Sequence, residues 1–357
     1  MSAAAWGRNR VIWVLNASCP SRCVYCDIES QRSTRVLTAK EVERVSHEIV
    51  AAGFREVVFV GGEPFLSGEL PVALRVLSGR VSIAVFTGGL PGVTDKVVSL
   101  VGQGVSRLVF SIDSGRDASN DLIRGRKGIT KDLVALAAEL RKQFPRLDMS
   151  VNTVVSRHNA GTLADVWDRM EAFRLDSWAL TLVGDNFTGS PRGHLLDREQ
   201  LERFYLTDVP ALAARLAEQR AELVVLPVPF PFLVAQVPAR AWGLAAAKCR
   251  AAIDRELELY AAGDYNRTFV SRCGCPLVGV DVSIGVGGEV HPCSQAPALQ
   301  PEYVVGQLKK ERLADVLAGE ALATFGRGVP HPPCTRCWAP SNVERGRLIR
   351  LVREATQ

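Results

Sequence analysis

The 357-residue sequence lacks the segments that would direct a protein into or across a membrane. Residues 1–9 contain no apolar stretch typical of a secretory signal. The one hydrophobic run that could suggest a membrane segment, residues 223–237, is interrupted by three prolines and is too short to span a bilayer as a helix. We therefore expect a cytoplasmic protein without a membrane partner, and we interpret this run as buried core or pocket lining.

Blocks of like charge are missing as well. The formal net charge of +5 is small for this length, and the Lys and Arg residues are dispersed, which argues against nucleic acid as a partner. The composition is 47% hydrophobic and 23% charged, as expected for a globular protein with a full core. Nine cysteines without a secretory signal favour metal or redox chemistry over a disulfide framework, and they indicate a reducing cytosol.

The first half of the chain alternates between strand-like and helical patterns. Six β/α units of about 30 residues each favour an α/β fold with a parallel sheet curled into a partial (β/α)6 barrel, similar to a TIM barrel. The strand-like runs are 11–15, 56–60, 82–86, 107–112, 149–155 and 178–183. The helical runs are 39–53, which begins with a Thr38–Glu41 capping box, and 94–101, 130–144 and 162–173.

The second half of the chain has a different composition. Residues 186–262 are predicted to be mostly helical. Residues 273–337 are rich in Gly, Pro and Cys, with short strands and little core, which is typical of a small domain stabilised by metal. We expect a domain at 1–240 with the barrel and its connecting helices, and a second at 241–357 with a helix, the metal domain and a C-terminal helix.

Three cysteines follow the first predicted strand, at Cys19, Cys23 and Cys26. Three thiolates are one fewer than an ordinary [4Fe–4S] electron carrier uses, so one iron would remain open to an amine and a carboxylate. The alternative is a zinc site, but zinc needs a fourth ligand, and no other Cys or His occurs in the first forty residues. Because parallel barrels place their sites at the C-terminal ends of the strands, we expect these cysteines at that face.

The C-x3-C-x2-C spacing, with Tyr25 directly before the last Cys, resembles the radical S-adenosylmethionine (radical SAM) superfamily. The resemblance implies that the open iron binds SAM. It further implies that an electron from an external flavodoxin- or ferredoxin-type reductant cleaves SAM to a 5′-deoxyadenosyl radical. That radical would abstract hydrogen from an unactivated C–H bond of the substrate.

A second motif, Gly61-Gly62-Glu63-Pro64, follows the second predicted strand. Two glycines at a strand end allow the backbone to approach a ligand closely. By resemblance to the superfamily, these four residues hold the amino group of SAM. A simple turn is the alternative.

Polar side chains near the fourth and fifth strands are candidate SAM contacts. Ser111 and Asp113 alternate onto one face of the fourth strand. By resemblance they contact the SAM ribose, Asn152 is a further polar contact, and Arg124 is a candidate for the SAM carboxylate. Helix capping is the alternative role for a strand-end Asp or Asn.

A second cysteine set consists of Cys275, Cys293 after Gly288, and the pair Cys334 and Cys337. This pattern resembles the twitch domain, a shortened SPASM domain. The resemblance implies a β-hairpin and one auxiliary [4Fe–4S] cluster with four Cys ligands and no open iron, suited to electron transfer. Zinc is the alternative for four such thiolates, and Cys273 competes with Cys275 as the first ligand.

Cys249 belongs to neither set and is interpreted either as a buried small hydrophobe or as a hydrogen-atom donor. Together with the two clusters, a donor thiol resembles the radical SAM epimerases of carbohydrate antibiotics. That resemblance implies a sugar-containing small molecule, such as an aminoglycoside, as substrate. Acidic residues that would suit a polycation, or else form solvated faces, are Asp27, Glu29, Asp185, Asp254, Glu256, Glu258 and Asp264.

Three other reactions remain open at this point. The first is oxidation of an aminocyclitol or sugar alcohol by a twitch-type dehydrogenase, which needs a base rather than a donor thiol. The second is maturation of a ribosomal peptide, which the nine residues before the first strand disfavour. The third is decarboxylation or C–C bond formation on a sugar or nucleoside.

Overall fold

The computed structural model describes residues 8–28, 36–92, 94–183, 191–226, 250–262, 264, 275, 277–295 and 303–337. Within these ranges, ten strands form one sheet with the order β10-β9-β8-β1-β2-β3-β4-β5-β6-β7. The strands are β1 (Arg10–Asn16), β2 (Glu56–Gly61), β3 (Ser82–Thr87), β4 (Arg107–Ser111), β5 (Asp148–Val155), β6 (Ser177–Leu182), β7 (Glu222–Leu226), β8 (Asp281–Ile284), β9 (Glu289–His291) and β10 (Gly306–Gln307).

Helices follow most of the parallel strands. They are α1 (Ala39–Ala51), α2 (Leu70–Leu77), α3 (Thr94–Val101), α4 (Asp117–Arg124), α5 (Ile129–Gln143), α6 (Ala164–Met170), α7 (Arg198–Arg203), α8 (Val209–Glu218), α9 (Arg250–Ala261), α10 (Leu313–Ala318) and α11 (Glu320–Arg327). Among the described residues, no helix is long and apolar enough to cross a membrane.

The predicted barrel strands are confirmed. All six occur within about one residue of their expected bounds, and each of β1 to β6 pairs in parallel with the next. The first predicted helix is confirmed with its capping box, in which Thr38 Oγ1 accepts from the Glu41 amide and the Glu41 carboxylate accepts from the Thr38 amide. Its buried residues, including Val42, Val45 and Ile49, recur with helical spacing and face the core.

One strand was not expected. The prediction of a mostly helical region at 186–262 is wrong for Glu222–Leu226, which forms β7 and pairs in parallel with β6. The hydrophobic run at 223–237 therefore begins as a strand, with Val225 buried, while residues 227–237 lie outside the described ranges. A short, continuous apolar run is ambiguous between strand and buried helix, which explains the error.

The expectation of a C-terminal region with little core is also wrong. Strand β8 is buried along its whole length and pairs in parallel with β1, so the region extends the main sheet. Val282, Ile284, Val290 and Leu313 belong to the same hydrophobic core as the barrel. The hairpin implied by the twitch resemblance is confirmed, since β8 and β9 pair antiparallel. The predicted domain boundary near residue 240 lies outside the described ranges.

The buried carboxylate of Asp281 joins the C-terminal region to the first strand of the barrel. Asp281, at the start of β8, is fully buried and accepts hydrogen bonds from Arg10 Nη2 (2.8 Å), Arg10 Nε (3.2 Å) and Asn9 Nδ2 (3.0 Å). Because the register pairs Arg10 with Asp281, these bonds align the first residues of β1 and β8.

Candidate active site

The three N-terminal cysteines lie in the loop that follows β1, at the C-terminal edge of the sheet, as predicted. The Cys26 amide donates to the Cys23 carbonyl (3.0 Å), which closes a tight turn between these two residues. Cys19 and Cys23 are half-buried, and Cys26 is exposed. The cysteines line a pocket of about 240 Å³ together with Ser21, Arg22, Tyr25, Asp27, Ile28, Gly61, Gly62, Ser111, Arg124, Asn152 and Val154.

The two glycines after β2 hold the cysteine loop against the sheet. The Gly62 amide donates to the Asn16 carbonyl (2.9 Å) and the Glu63 amide to the Ser18 carbonyl (2.8 Å). A Cβ added at Gly62 would lie 2.1 Å from the Ser18 carbonyl oxygen, and Gly61 has a φ of +125°. Both glycines line the pocket. The structure thus gives the glycines a role beyond the predicted approach to a ligand, because they allow two backbone segments to touch.

Glu63 and Pro64 are buried beside the pocket and are not among its lining residues. The Glu63 carboxylate accepts from Thr87 Oγ1 (3.0 and 3.1 Å) and from the Gly88 amide (2.9 Å), which joins the ends of β2 and β3. Burial raises the pKa of Glu63 to about 7, although these donors lower it. Pro64 begins a short 3₁₀ helix. Their predicted contact with the SAM amino group stays a prediction.

Three of the predicted polar SAM contacts do line the pocket. Ser111 ends β4 and pairs in register with Asn152 of β5. The Asn152 side-chain carbonyl accepts from Thr181 Oγ1 (2.9 Å), which fixes its orientation. Arg124, the last residue of α4, lines the same pocket although its side chain is only 11% exposed. Their predicted roles toward SAM stay predictions.

Asp113 has a different position from the one expected for a ribose contact. It is fully buried, and both carboxylate oxygens are engaged within the protein. Oδ1 accepts from the Val154 amide (2.7 Å), whereas Oδ2 accepts from the Tyr25 hydroxyl (2.5 Å) and from Arg124 Nη1 (3.3 Å). The carboxylate therefore joins the cysteine loop, β5 and α4. Its partners come from distant parts of the sequence, which is why strand alternation alone did not reveal them.

Sequence reasoning also missed the residues that hold this part of the site. Asn120 Oδ1 accepts from the amides of Asp113 and Ser114, and Asn159 Nδ2 donates to the Asp113 carbonyl (2.7 Å). Ser21 lines the pocket within the cysteine motif itself. A buried Asn beside a strand end is the signal that would have indicated Asn120 and Asn159, because such amides commonly satisfy loop backbone groups.

Burial and the Arg124 guanidinium have opposite effects on the pKa of the Cys19 and Cys23 thiols. Burial raises the pKa of the Cys23 thiol to about 11, while the nearby Arg124 guanidinium acts in the opposite direction. Burial also raises the pKa of Cys19. Since iron binds thiolates, assembly of a cluster here displaces the thiol protons, and Arg124 favours the charged form.

The auxiliary cysteines lie at the opposite edge of the sheet, beside the start of β1. The Asn9 amide donates to the Val280 carbonyl (2.9 Å), and the Gly279 amide donates to the Pro292 carbonyl (3.0 Å). These bonds place the residues after Cys275 and before Cys293 next to the first residues of β1. Burial raises the pKa of Cys275 to about 12, and the neighbouring Cys293 and Cys334 contribute to this increase.

The Cys334–Cys337 pair forms a turn in which the Cys337 amide donates to the Cys334 carbonyl (3.2 Å). Among the described residues, no three His, Cys, Asp or Glu side chains form a group that would hold a single metal ion. Cys273, the alternative first ligand, lies outside the described ranges, as does Cys249.

Three of the seven acidic residues proposed for a cationic substrate are bonded to described side chains. Arg198 pairs with Asp254 (3.0 Å) and Glu258 (3.3 Å), and Asp264 accepts from Thr335 Oγ1 (3.0 Å). That the acidic residues line a pocket for a polycation stays a prediction. Asp27 does line the pocket. Glu29, Asp185 and the Glu256 side chain lie outside the described part of the chain.

Comparisons with known proteins agree with this arrangement. The sequence profile of the Radical SAM superfamily matches residues 13–170, and that of SPASM, an iron-sulfur cluster-binding domain, matches residues 275–338. The two matches contain the two cysteine sets described above. Together they confirm the resemblances on which the prediction of two iron–sulfur sites rests.

Curated relatives include two GTP 3′,8-cyclases. That of Mycobacterium tuberculosis is 28% identical over 160 residues, which cover 42% of this chain and only 44% of the relative. That of Pseudomonas putida is 29% identical over 255 residues, or 68% of this chain and 70% of the relative. Among solved structures, Streptococcus suis SuiB bound to precursor peptide SuiA has a TM-score of 0.67 at 13% identity, covering 93% of this chain and 71% of that one.

The likeness to the solved structure shows the fold alone, whereas the profile matches identify the cofactors. The radical SAM domain binds a [4Fe–4S] cluster and SAM, and the SPASM domain binds auxiliary iron–sulfur. Cys19, Cys23 and Cys26 surround one pocket, and the second cysteine set is gathered by the β8–β9 hairpin. By these domains and this site, the chain is a member of the radical SAM superfamily with a C-terminal SPASM iron–sulfur domain.

Proposed function

We propose that this radical SAM enzyme abstracts a hydrogen atom from a carbon of a sugar-containing small molecule, aminoglycosides being the first candidates, and epimerises that carbon. The observation that supports a radical reaction is the pocket in which the three cysteines meet Gly61, Gly62 and the polar ends of β4 and β5. The epimerisation itself rests on Cys249, a thiol that belongs to neither predicted ligand set.

In this proposal the first cluster would supply, when bound, the one-electron reduction of SAM and hence abstraction of a hydrogen atom from the substrate. Cys19, Cys23 and Cys26 provide the three thiolates that hold the cluster. The segment before the cysteines is fixed because the Asn16 and Ser18 carbonyls accept from the Gly62 and Glu63 amides, which limits movement of these ligands. Ser111 and Asn152 present a hydroxyl and an amide to the ribose of SAM from neighbouring strands.

Helix α9 is linked through α7 to residues that pack beside the pocket. Leu195 packs against the group formed by Tyr25, Ile123, Val154 and Val183, to which Cys23 also packs. Helix α7 begins three residues after Leu195, and its first residue, Arg198, pairs with Asp254 of α9. Arg250, which follows Cys249 in sequence, begins α9. Cys249 itself lies outside the described ranges, and its proposed role rests on the sequence.

The donor step balances in atoms and electrons. The Cys249 S–H bond breaks, its hydrogen atom forms a new C–H bond with the substrate radical, and a thiyl radical remains on the cysteine. One electron and one proton restore the thiol. We propose that the electron comes from the external flavodoxin- or ferredoxin-type reductant. The auxiliary cluster, which Cys275, Cys293, Cys334 and Cys337 would hold, would supply the route for it.

A second candidate is C–C bond formation on a sugar or nucleotide, which the names of the two GTP 3′,8-cyclase relatives favour. Dehydrogenation of a sugar alcohol is a third. These reactions differ from epimerisation in the fate of the substrate radical, because neither needs a thiol hydrogen. The effect of replacing Cys249 therefore distinguishes epimerisation from C–C bond formation and dehydrogenation.

The test measures the fate of solvent deuterium. Anaerobically reconstituted enzyme is incubated with SAM, dithionite and a panel of aminoglycosides in deuterated water. Wild-type enzyme is expected to release an epimer with one deuterium, because the Cys249 thiol exchanges with solvent. Cys249→Ala is expected to form 5′-deoxyadenosine without the epimer, and Cys249→Ser serves as the size-matched control, since an O–H bond is too strong to donate.

Two outcomes contradict the epimerase proposal. An oxidised product without deuterium, formed equally by Cys249→Ala, indicates a dehydrogenase. A product with a new carbon–carbon bond indicates a cyclase-type reaction. Absence of 5′-deoxyadenosine from the wild-type enzyme with every reductant contradicts radical SAM chemistry altogether.

A further inference from the structure

The Tyr25 hydroxyl lies between a buried carboxylate and a buried guanidinium. Arg124 Nη1 donates to the Tyr25 oxygen (2.7 Å), and the Tyr25 hydroxyl donates in turn to Asp113 Oδ2 (2.5 Å). The direct distance from Arg124 Nη1 to Asp113 Oδ2 is longer, at 3.3 Å. Tyr25 is 3% exposed and Asp113 is fully buried, so this network is excluded from water. Its members come from the cysteine loop, the end of β4 and α4.

One donor of Arg124 is not used within the described part of the protein. Arg124 Nε is buried and has no hydrogen-bond partner in the described structure, and the same is true of Ser21 Oγ. Both residues line the pocket beside the cysteines. A Cβ added at Gly88 would lie 3.1 Å from Arg124 Nη2 and 3.9 Å from both Glu63 Oε2 and Ser21 Oγ, so Arg124 is close to Ser21 and also to the Glu63 carboxylate. Arg124 Nε and Ser21 Oγ are the unsatisfied groups, and two buried, unsatisfied polar groups in the lining of one pocket indicate a polar ligand, for which the guanidinium favours an anion.

The hydroxyl of Tyr25 determines which Arg124 donors stay available. An arginine next to a carboxylate normally forms two parallel hydrogen bonds with it, and this would consume two nitrogen atoms. Here the phenol separates the two groups, and Asp113 is held in place by the Val154 amide (2.7 Å). Arg124 therefore donates to the network through Nη1, and its Nε has no acceptor among the described residues.

We propose that Tyr25 and Asp113 are positioning residues that hold Arg124 for the carboxylate of the methionyl group of SAM, with Ser21 as a second donor to it. This inference rests on the proposed placement of SAM in the pocket. It assigns Asp113 to positioning of the guanidinium and not to the ribose. The aromatic residue of the cysteine motif thus acts through its hydroxyl as well as through its ring.

The test compares two ligands that differ only in the carboxylate. Dissociation constants for SAM and for decarboxylated SAM are measured anaerobically on the cluster-loaded wild type and on Tyr25→Phe, which removes only the hydroxyl. Loss of a hydrogen bond to a charged group predicts that the Kd for SAM rises about 10-fold or more. The Kd for decarboxylated SAM is expected to stay at the wild-type value. Tyr205→Phe, at another buried tyrosine, is the matched control and should leave both constants unchanged.

Two further measurements separate positioning from general structural damage. Iron content and the electron paramagnetic resonance spectrum of the reduced cluster without SAM should be the same in Tyr25→Phe and wild type. In an Arg124→Lys background, Tyr25→Phe should add little to the loss of SAM affinity, because the hydroxyl acts through the guanidinium.

Equal losses of affinity for both ligands, additive losses in the double variant, or an unchanged Kd for SAM would each overturn the inference. Failure of the proposed function is distinguishable from these results. If wild-type enzyme forms no 5′-deoxyadenosine with dithionite, the placement of SAM fails as a whole. If the wild type forms it and Tyr25→Phe binds SAM normally, only the positioning role is wrong.

Discussion

Gly62 offers the sharpest test of how the sheet supports the first cluster. In Gly62→Ala the added methyl carbon would lie 2.1 Å from the Ser18 carbonyl oxygen and 2.8 Å from the Ala17 carbonyl carbon. Ordinary contact begins at 3.4 Å, so the backbone before Cys19 must move by more than 1 Å. The obstructing atoms are main-chain atoms, which cannot rotate away as a side chain can.

The expected cost has two parts. Overpacking of this kind destabilises a folded protein by about 1–3 kcal/mol. The shift also strains the hydrogen bond from the Glu63 amide to the Ser18 carbonyl (2.8 Å), which holds the cysteine loop. Because a displacement of about 1 Å at a reacting centre can lower a rate about 100-fold, we expect SAM cleavage to fall by at least about 10-fold.

The assay follows 5′-deoxyadenosine formation with excess dithionite, together with iron and sulfide per chain. Gly68→Ala is the matched control, since a Cβ at Gly68 has no atom within 4 Å, and it should behave as wild type. Wild-type iron content combined with a wild-type rate of SAM cleavage in Gly62→Ala would refute the argument that close backbone contact positions the cluster.

Further predictions concern both clusters and one buried carboxyl group. Cys23→Ala should abolish SAM cleavage, measured as 5′-deoxyadenosine, whereas retained cleavage would exclude the first cluster. Cys334→Ala should lower the iron content from roughly eight to roughly four per chain while SAM cleavage persists, because only the auxiliary cluster loses a ligand; an unchanged iron content would contradict that ligand set. The raised pKa of Glu63, about 7 against an ordinary 4.5, favours the protonated folded state. Its stabilising contribution is therefore complete below about pH 4.5 and is lost as the pH rises through 7, by up to roughly 3 kcal/mol. Urea unfolding of wild type and Glu63→Gln at about pH 5 and pH 8 should show this dependence only in the wild type, and parallel curves would contradict it.

Local patterns in the sequence predicted the barrel and the first cysteine site well. The buried strands of a parallel sheet have nearly continuous apolar runs, so β1 to β6 were recognisable one at a time. The start of α1 was predictable because its capping box is also a local pattern, in which Thr38 and Glu41 contact each other within one helical turn. The cysteine loop and the Gly61-Gly62 pair are also local motifs, and their order along the chain indicated that they lie on neighbouring strands.

Long-range contacts were not predictable in this way. The pairing of β8 with β1 joins residues separated by about 270 positions. The sequence of Asp281–Ile284 does not indicate that this strand pairs with β1. The same holds for Asp113, whose carboxylate is shared by Tyr25 and Arg124 through tertiary contacts. A strand-end Asp is ambiguous between a ligand contact and an internal hydrogen-bond acceptor until its neighbours are known. The structure shows that Asp113 is fully buried and acts as an internal hydrogen-bond acceptor.

The Arg10–Asp281 ion pair connects the two cluster sites through β1. The first cysteines follow the last residue of β1, while the auxiliary cysteines lie beside its first residues, so the sites are separated by about the length of this seven-residue strand, ~23 Å. In the proposed epimerisation, hydrogen abstraction occurs at one end and the restoring electron enters from the other.

Because the pair aligns β8 with β1, Asp281→Asn should disturb the auxiliary site more than the SAM site. Removing one partner of a buried pair costs about 3–5 kcal/mol, and since Arg10 is partly exposed we expect about 2 kcal/mol in urea unfolding. SAM cleavage should stay close to wild type, whereas epimer formed per SAM cleaved should fall. Glu320→Gln, at an exposed ion pair with Arg327, is the control and should change neither. A parallel loss of cleavage and product in Asp281→Asn would mean that the auxiliary region supports the whole barrel rather than the later electron-transfer step.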